Sequence, residues 1–118
     1  MKKILVLTCL IMFAASCYYD KEEELYGLVP CDTSTVRYKV EITAILNANC
    51  LSCHGGTASS GGGVQLGNYN ILRDYALGGL LVEAITRSNN RMPKGAAPLT
   101  NCQIAQIEKW INNGAPNN

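Results

Sequence analysis

Three segments in the second half of the chain carry apolar residues at helical spacing. Residues 69–76 and 80–87 each have the spacing of a short helix, and the helix-breaking pair Gly78 and Gly79 separates them. A third segment begins after Thr100. The residues expected to face the core are Leu72, Leu81 and Ile85 in the first two segments and Ile104, Ile107, Trp110 and Ile111 in the third.

The third segment has the clearest helix signals at both ends. Thr100 followed by Gln103 is typical of a capping box, and Leu99 is placed to pack against Ile104. Gly114, with a proline two residues later, predicts where the helix ends. We therefore expect a terminal helix from Thr100 to the residues before Gly114, with Trp110 packed in the core.

Residues 36–50 fit two patterns at once. An alternating strand pattern is formed by Val36, Tyr38, Val40 and Ile42. A helical spacing is formed by Tyr38, Ile42, Ile45, Leu46 and Asn49. Because residues 41–49 contain good helix formers and neither Gly nor Pro, we expect an extended lead-in followed by a helix from about Val40 to Cys50.

Two loops complete the pattern. Residues 55–63 are rich in glycine, and residues 88–98 contain two prolines and no apolar periodicity. The glycine-rich loop lacks the Lys-Ser/Thr ending of a phosphate-binding loop, which argues against that function. The whole pattern predicts an all-α domain of about four helices with long loops.

Composition narrows the class of protein. The 118 residues carry a formal net charge of +1, with 47% hydrophobic and 16% charged residues. This balance argues against wholesale disorder and against a nucleic-acid partner, since neither a highly charged chain nor a basic surface is indicated. A single domain of this size has a thin core and benefits from crosslinks or a cofactor.

The first residues have the order of a secretory signal peptide. A lysine pair at positions 2 and 3 precedes an apolar run over residues 4–13, and the small residues 14–16 lead to Cys17. Small residues directly before a cysteine resemble a bacterial lipoprotein box, in which the cysteine carries lipid. Cleavage after Ser16 that leaves Cys17 as a plain thiol is the alternative.

These signals predict a domain organisation. We expect a signal peptide at 1–16, a lipid anchor with an acidic linker at 17–33, and a folded domain at 34–118. The protein is then exported and held at a membrane by the lipid on Cys17, facing the periplasm or the cell surface. Export also permits disulfides.

The chemistry of the chain centres on a CxxCH motif formed by Cys50, Cys53 and His54. This spacing indicates c-type haem attachment, in which two thiols add to the porphyrin edge and the adjacent imidazole faces the iron. A thioredoxin-like pair would open a helix, whereas these cysteines close one. A zinc site would need a further ligand, and the chain has no second histidine.

Met92 is the candidate for the opposite side of the iron. Met1 and Met12 lie in the predicted signal peptide, so Met92 is the only methionine expected in the mature chain. Methionine and histidine together ligate the iron of electron-carrying cytochromes. An iron bound by Lys94, or left open on that side, is the alternative.

The segments CLSCHG at 50–55, RMPKG at 91–95 and IEKWINNGA at 107–115 resemble a small class I type cytochrome c domain. With the acidic tether, the chain is similar to bacterial lipoprotein c-type cytochromes. The resemblance implies a cytochrome c-like fold around one covalent haem c, with axial ligands His54 and Met92. It also implies an electron carrier rather than an enzyme, with redox partner proteins that the sequence does not identify. A haem enzyme or sensor with an open sixth site, and a thiol-disulfide module using Cys50 and Cys53, are the alternatives.

Two cysteines remain. Cys31 lies just before the domain and Cys102 lies in the first turn of the terminal helix, so a disulfide would join the lead-in to that helix. Closing a loop of this length contributes roughly 4 kcal/mol by the chain-entropy model. Two separate buried thiols are the alternative.

Overall fold

Helices and loops make up the part of the chain that the structure describes, residues 31–118 of a computed structural model, and this part contains no strand. The predicted signal peptide, Cys17 and the linker up to residue 30 lie outside the described residues. Residues Cys31–Asn118 form one compact unit. Its five α-helices are α1 (Thr43–Asn49), α2 (Leu51–His54), α3 (Tyr69–Leu77), α4 (Leu80–Thr86) and α5 (Asn101–Asn112). The expectation of an all-α domain is confirmed for these residues.

The first helix begins earlier than expected. A π-helical turn over Tyr38–Ile42 runs directly into α1, so the helical part starts two residues before Val40. The side chain of Val40 is 47% exposed, whereas Ile42, Ile45 and Leu46 are buried. Burial therefore follows the helical spacing, and the alternating strand pattern does not correspond to a buried face.

The CxxCH segment forms an additional short helix. The helix is interrupted at Cys50, whose φ of −122° and ψ of −41° separate α1 from the four-residue α2. Helix α2 ends at His54, so the motif lies at the close of the first helical region, as expected. This break accounts for five helices where about four were predicted.

Helices α3 and α4 form a corner. Gly78 and Gly79 join them, and Gly79 has a φ of +80°, which a residue with a Cβ adopts only with strain. The side chain of Asn68 accepts hydrogen bonds from the backbone N–H groups of Asn70 and Ile71, and this caps the start of α3. Leu72, Leu81 and Ile85 are buried, as the spacing predicted.

Helix α5 has the predicted caps. The Thr100 hydroxyl accepts from the Gln103 N–H at 3.2 Å, and the Gln103 amide oxygen accepts from the Thr100 N–H at 2.9 Å. These two bonds complete the capping box. After the helix, Gly114 has a φ of +87°, and the chain turns back over the core.

Three aromatic side chains and the C-terminal tail form a cluster that we call the aromatic clasp, defined by Tyr38, Tyr69, Trp110 and residues 115–118. The Tyr38 ring lies 4.9 Å from that of Tyr69 and 5.9 Å from that of Trp110. The Tyr69 hydroxyl donates to the Ala115 carbonyl at 2.7 Å, and Trp110 Nε1–H donates to the Pro116 carbonyl at 2.9 Å. Trp110 is fully buried, which confirms its predicted place in the core.

The lead-in is joined to α5 by a disulfide. Cys31 and Cys102 are bonded, with their Cα atoms 5.4 Å apart, which is the pairing expected from the sequence. The Gln106 side chain also donates to the Asp32 carbonyl at 3.2 Å. Both links hold the start of the compact unit against the terminal helix.

Within residues 31–118, no helix is long and apolar enough to cross a membrane.

Candidate functional site

A cavity of about 770 Å³ opens on the side of the molecule that carries the CxxCH motif. Its lining comes from the end of α1, the motif at 50–54, the loop at 60–66, helices α3 and α4, and the segment 92–96. Helix α5 contributes none of these lining residues. The volume lies in the range of ligand and cofactor sites, roughly 300–1,000 Å³.

All four predicted haem-binding residues line this one cavity. Cys50, Cys53 and His54 reach it from the break between α1 and α2 and from α2, and Met92 reaches it from the loop after α4. The motif and Met92 are about 40 residues apart in the sequence, and the fold brings them to the same space.

The imidazole of His54 is held by the glycine-rich loop. His54 Nδ1 lies 3.0 Å from the Val64 carbonyl oxygen, which accepts a hydrogen bond when Nδ1 carries the proton. The His54 carbonyl in turn accepts from the Leu66 N–H at 3.0 Å. With Nδ1 bonded in this way, Nε2 is the nitrogen that remains to ligate an iron. Histidines that bind metals commonly donate their other N–H to such a backbone carbonyl.

Gly61 allows this loop to approach the ring. A Cβ at Gly61 would lie 2.5 Å from His54 Nδ1 and 2.7 Å from the Cys53 carbonyl oxygen. Contacts that short do not occur between a Cβ and its neighbours, so a side chain at this position has to displace the imidazole or the loop. The sequence predicted a loop here, but it did not reveal that Gly61 and Val64 support His54.

The two motif cysteines are free thiols. Cys50 is half-buried and Cys53 is exposed. Burial raises the pKa of the Cys50 thiol, so this side chain is held in the protonated form. Reactive redox cysteines have the opposite property, a lowered pKa that favours the thiolate.

Met92 is tied to helix α4 by its backbone. The Met92 N–H donates to the Ala84 carbonyl at 2.8 Å, and the half-buried Met92 side chain packs against the hydrophobic core. The loop that carries it, 88–98, has no helix or strand, as predicted.

Charged side chains also reach the cavity. Arg73, Arg87 and Arg91 have the charge that would suit haem propionates; of these three, Arg87 lines the cavity, whereas Arg73 and Arg91 do not. Lys94 lines it as well, so both the predicted sixth ligand and its alternative border the same space. In residues 31–118, no group of three His, Cys, Asp or Glu side chains is arranged to hold a metal ion.

The residues present fit a covalently bound haem. The cavity has the size of a cofactor site, two free thiols border it, and an imidazole with its Nδ1 engaged borders it beside them. Met92 supplies a thioether to the same space. Comparisons with protein-family models, with curated proteins and with solved structures give no match to this chain.

Proposed function

We propose that this protein is a monohaem c-type cytochrome with a class I cytochrome c-like fold, an electron carrier rather than an enzyme. The observation that carries the proposal is that Cys50, Cys53, His54 and Met92 all line one cavity of about 770 Å³. These are the two thiols, the imidazole and the thioether that a covalent, His/Met-ligated haem requires.

Each of the four residues has a distinct role. Cys50 and Cys53 would hold the porphyrin through thioether bonds, and His54 and Met92 would be the iron ligands. The haem supplies an iron that takes up and releases one electron, and methionine ligation raises its reduction potential. A proton on His54 Nδ1, donated to the Val64 carbonyl, would leave Nε2 free to ligate the iron.

The cellular setting belongs to the same proposal. Export, lipidation of Cys17 and attachment to a membrane facing the periplasm or cell surface follow from the N-terminal sequence. The Cys31–Cys102 disulfide is compatible with an oxidising compartment. Redox partner proteins are then met outside the cytosol.

The presence of covalent haem distinguishes the cytochrome from a thiol-disulfide module. Burial, which raises the pKa of the Cys50 thiol, argues against Cys50 as the reactive thiolate of a thiol-disulfide module with Cys53. Pyridine haemochrome analysis and intact-mass measurement of protein made with a haem-attachment system test it directly. One covalent haem per chain is expected. A chain without covalent haem would favour the thiol-disulfide module instead. The same mass reports whether lipid is present.

Replacing Met92 tests whether its thioether occupies the sixth coordination position of the iron. Met92→Ala should abolish the low-spin spectrum and lower the reduction potential by more than about 100 mV, within the roughly 0.8 V span that axial ligands command. Lys94→Ala is the matched control, because Lys94 borders the same cavity and should leave both properties unchanged. An unchanged spectrum in Met92→Ala, with a change in Lys94→Ala, would assign the sixth position to Lys94. A haem enzyme or sensor with an open site is indicated if neither change has an effect.

A further inference from the structure

Two hydrogen bonds fasten the segment that carries Met92, one to helix α4 and one to Arg87, the residue directly after that helix. The outer bond joins the Met92 N–H to the Ala84 carbonyl at 2.8 Å. The inner bond joins Arg87 Nε–H to the Asn90 carbonyl at 2.9 Å. Together they close the turn at 88–91 that follows α4 and returns the chain to the cavity.

The conformation of the turn at 88–91 has little stabilisation of its own. Asn90 has a φ of +52°, a left-handed conformation that costs a residue with a side chain free energy, although asparagine tolerates it better than most. Residues 88–91 are all exposed, so packing contributes little to their conformation. The bond from Arg87 crosses the turn and offsets this cost.

Arg87 is available for this role. In residues 31–118 it forms no ion pair, and the bond from its Nε to the Asn90 carbonyl is the side-chain hydrogen bond that it makes. Arg91, in the same turn, is exposed and makes no such bond within the described part of the chain. The two arginines therefore differ in this one contact.

We infer that Arg87 is a positioning residue, whose Nε–H holds the 88–91 turn so that the Met92 thioether stays at the cavity that His54 also lines. This inference rests on the proposed function, and it assigns to Arg87 a contact with the chain rather than with a haem propionate. Loss of the bond should leave Met92 easier to displace from the iron.

Two uncharged variants separate the hydrogen bond from the charge. Arg87→Gln places an amide N–H donor as many bonds from Cα as Arg Nε, whereas Arg87→Leu has no donor. The measurement is the affinity of free imidazole for the ferric holoprotein, since imidazole competes with Met92. We expect Arg87→Leu to bind imidazole roughly two- to tenfold more tightly, the factor that one hydrogen bond carries. Arg87→Gln should bind it like the wild type.

Arg91→Leu is the matched control and should bind imidazole like the wild type. Hydrogen exchange at the Met92 amide provides a second readout, because that N–H is bonded to Ala84. It should exchange faster in Arg87→Leu alone. A role in stability only would lower the melting temperature of Arg87→Leu without changing imidazole affinity, and this result overturns the inference.

The remaining outcomes are also distinct. Equal increases in Arg87→Gln and Arg87→Leu would show that the charge matters, as pairing with a propionate requires, and would overturn the inference while leaving the cytochrome proposal intact. A wild-type protein that carries no covalent haem, or whose spectrum is independent of Met92, overturns both.

Discussion

The aromatic clasp and the cavity differ in how closely their side chains are packed. In the clasp, Trp110 is fully buried, and the polar atoms of Tyr69 and Trp110 are bonded to backbone carbonyls of the tail. The cavity keeps about 770 Å³ between half-buried side chains, among them His54 and Met92. Protein interiors are otherwise close-packed.

Under the proposed function, this difference separates what the chain completes by itself from what the haem would complete. The clasp and the disulfide on α5 join the two ends of the compact unit without help from any other group. The cavity is bordered by residues of helices α1 to α4 and by the segments 60–66 and 92–96, and α5 does not reach it. Changes near the clasp should therefore alter stability and leave the haem environment unchanged, and changes that press on His54 should alter both.

The largest effect on stability is expected from removing the disulfide. The double variant Cys31→Ser/Cys102→Ser should lose about 4 kcal/mol of unfolding free energy, because the bond closes a loop across a sequence separation of 71 residues. Urea unfolding followed by circular dichroism measures the loss. The haem spectrum of the folded double variant should match that of the wild type, since neither cysteine lines the cavity. A shifted spectrum would contradict the separation of the two regions.

A change at Gly61 should affect both stability and the iron. Gly61→Ala puts a Cβ against the His54 ring and the Cys53 carbonyl, and we expect a loss of about 1–3 kcal/mol with a weakened His54–iron bond. Differential scanning calorimetry and the absorption spectrum of the ferric protein measure the two effects. The loss of stability and the change in the spectrum should occur in the same variant.

Gly62→Ala is the control for this change. Gly62 has a φ of +65°, so alanine there is strained, but its Cβ would meet nothing within 4 Å. The cost in stability should be about 1 kcal/mol, with the iron spectrum unchanged. If Gly62→Ala disturbs the spectrum as much as Gly61→Ala, close packing against His54 is not the reason for a glycine at position 61.

The smallest expected effect is a dependence of stability on acid pH. Hydrogen bonds from the Arg37 side chain and backbone lower the pKa of Glu41 from 4.5 to about 2. A lowered pKa in the folded protein means that the carboxylate stabilises the fold above pH 4.5, and this contribution disappears as pH falls from 4.5 to 2. Wild-type stability should therefore fall more than that of Glu41→Gln over this interval, by a margin that salt reduces.

Thermal unfolding at a series of pH values measures this margin. Arg37→Gln should fall between wild type and Glu41→Gln, because it removes the ion pair but keeps the Arg37 backbone N–H that donates to the Glu41 carboxylate at 2.7 Å. The ion pair lies outside the cavity lining, so the haem spectrum should not change with it. Identical pH profiles for wild type and Glu41→Gln would show that the pair contributes nothing to folding.

Local signals in the sequence predicted the helices well. The capping box of Thr100 and Gln103, the glycine pair between α3 and α4, and Trp110 in the core are all present in the structure. These features depend on residues a few positions apart, or on the apolar face of a single helix. For the same reason, the CxxCH spacing was enough to choose Cys50, Cys53 and His54 as candidate haem-binding residues, whereas Met92 was chosen as the only methionine expected in the mature chain.

Contacts between distant segments could not be predicted in this way. The first helical turn begins at Tyr38 because its N–H and that of Lys39 donate to Asn118, 80 and 79 positions away. Nothing near Tyr38 indicates that partner. The support of His54 by Gly61 and Val64, and of the Met92 turn by Arg87, likewise depends on how the loops fold over the cavity.

The disulfide also determines how the molecule carries mechanical load. A pull on the chain at Cys31 passes through the S–S bond to Cys102 in the first turn of α5. The 71-residue separation between these cysteines is bypassed, and it contains every residue that lines the cavity, from Ala48 to Ala96. Tension on the N-terminal side therefore reaches the terminal helix without stretching the segments that hold His54 and Met92.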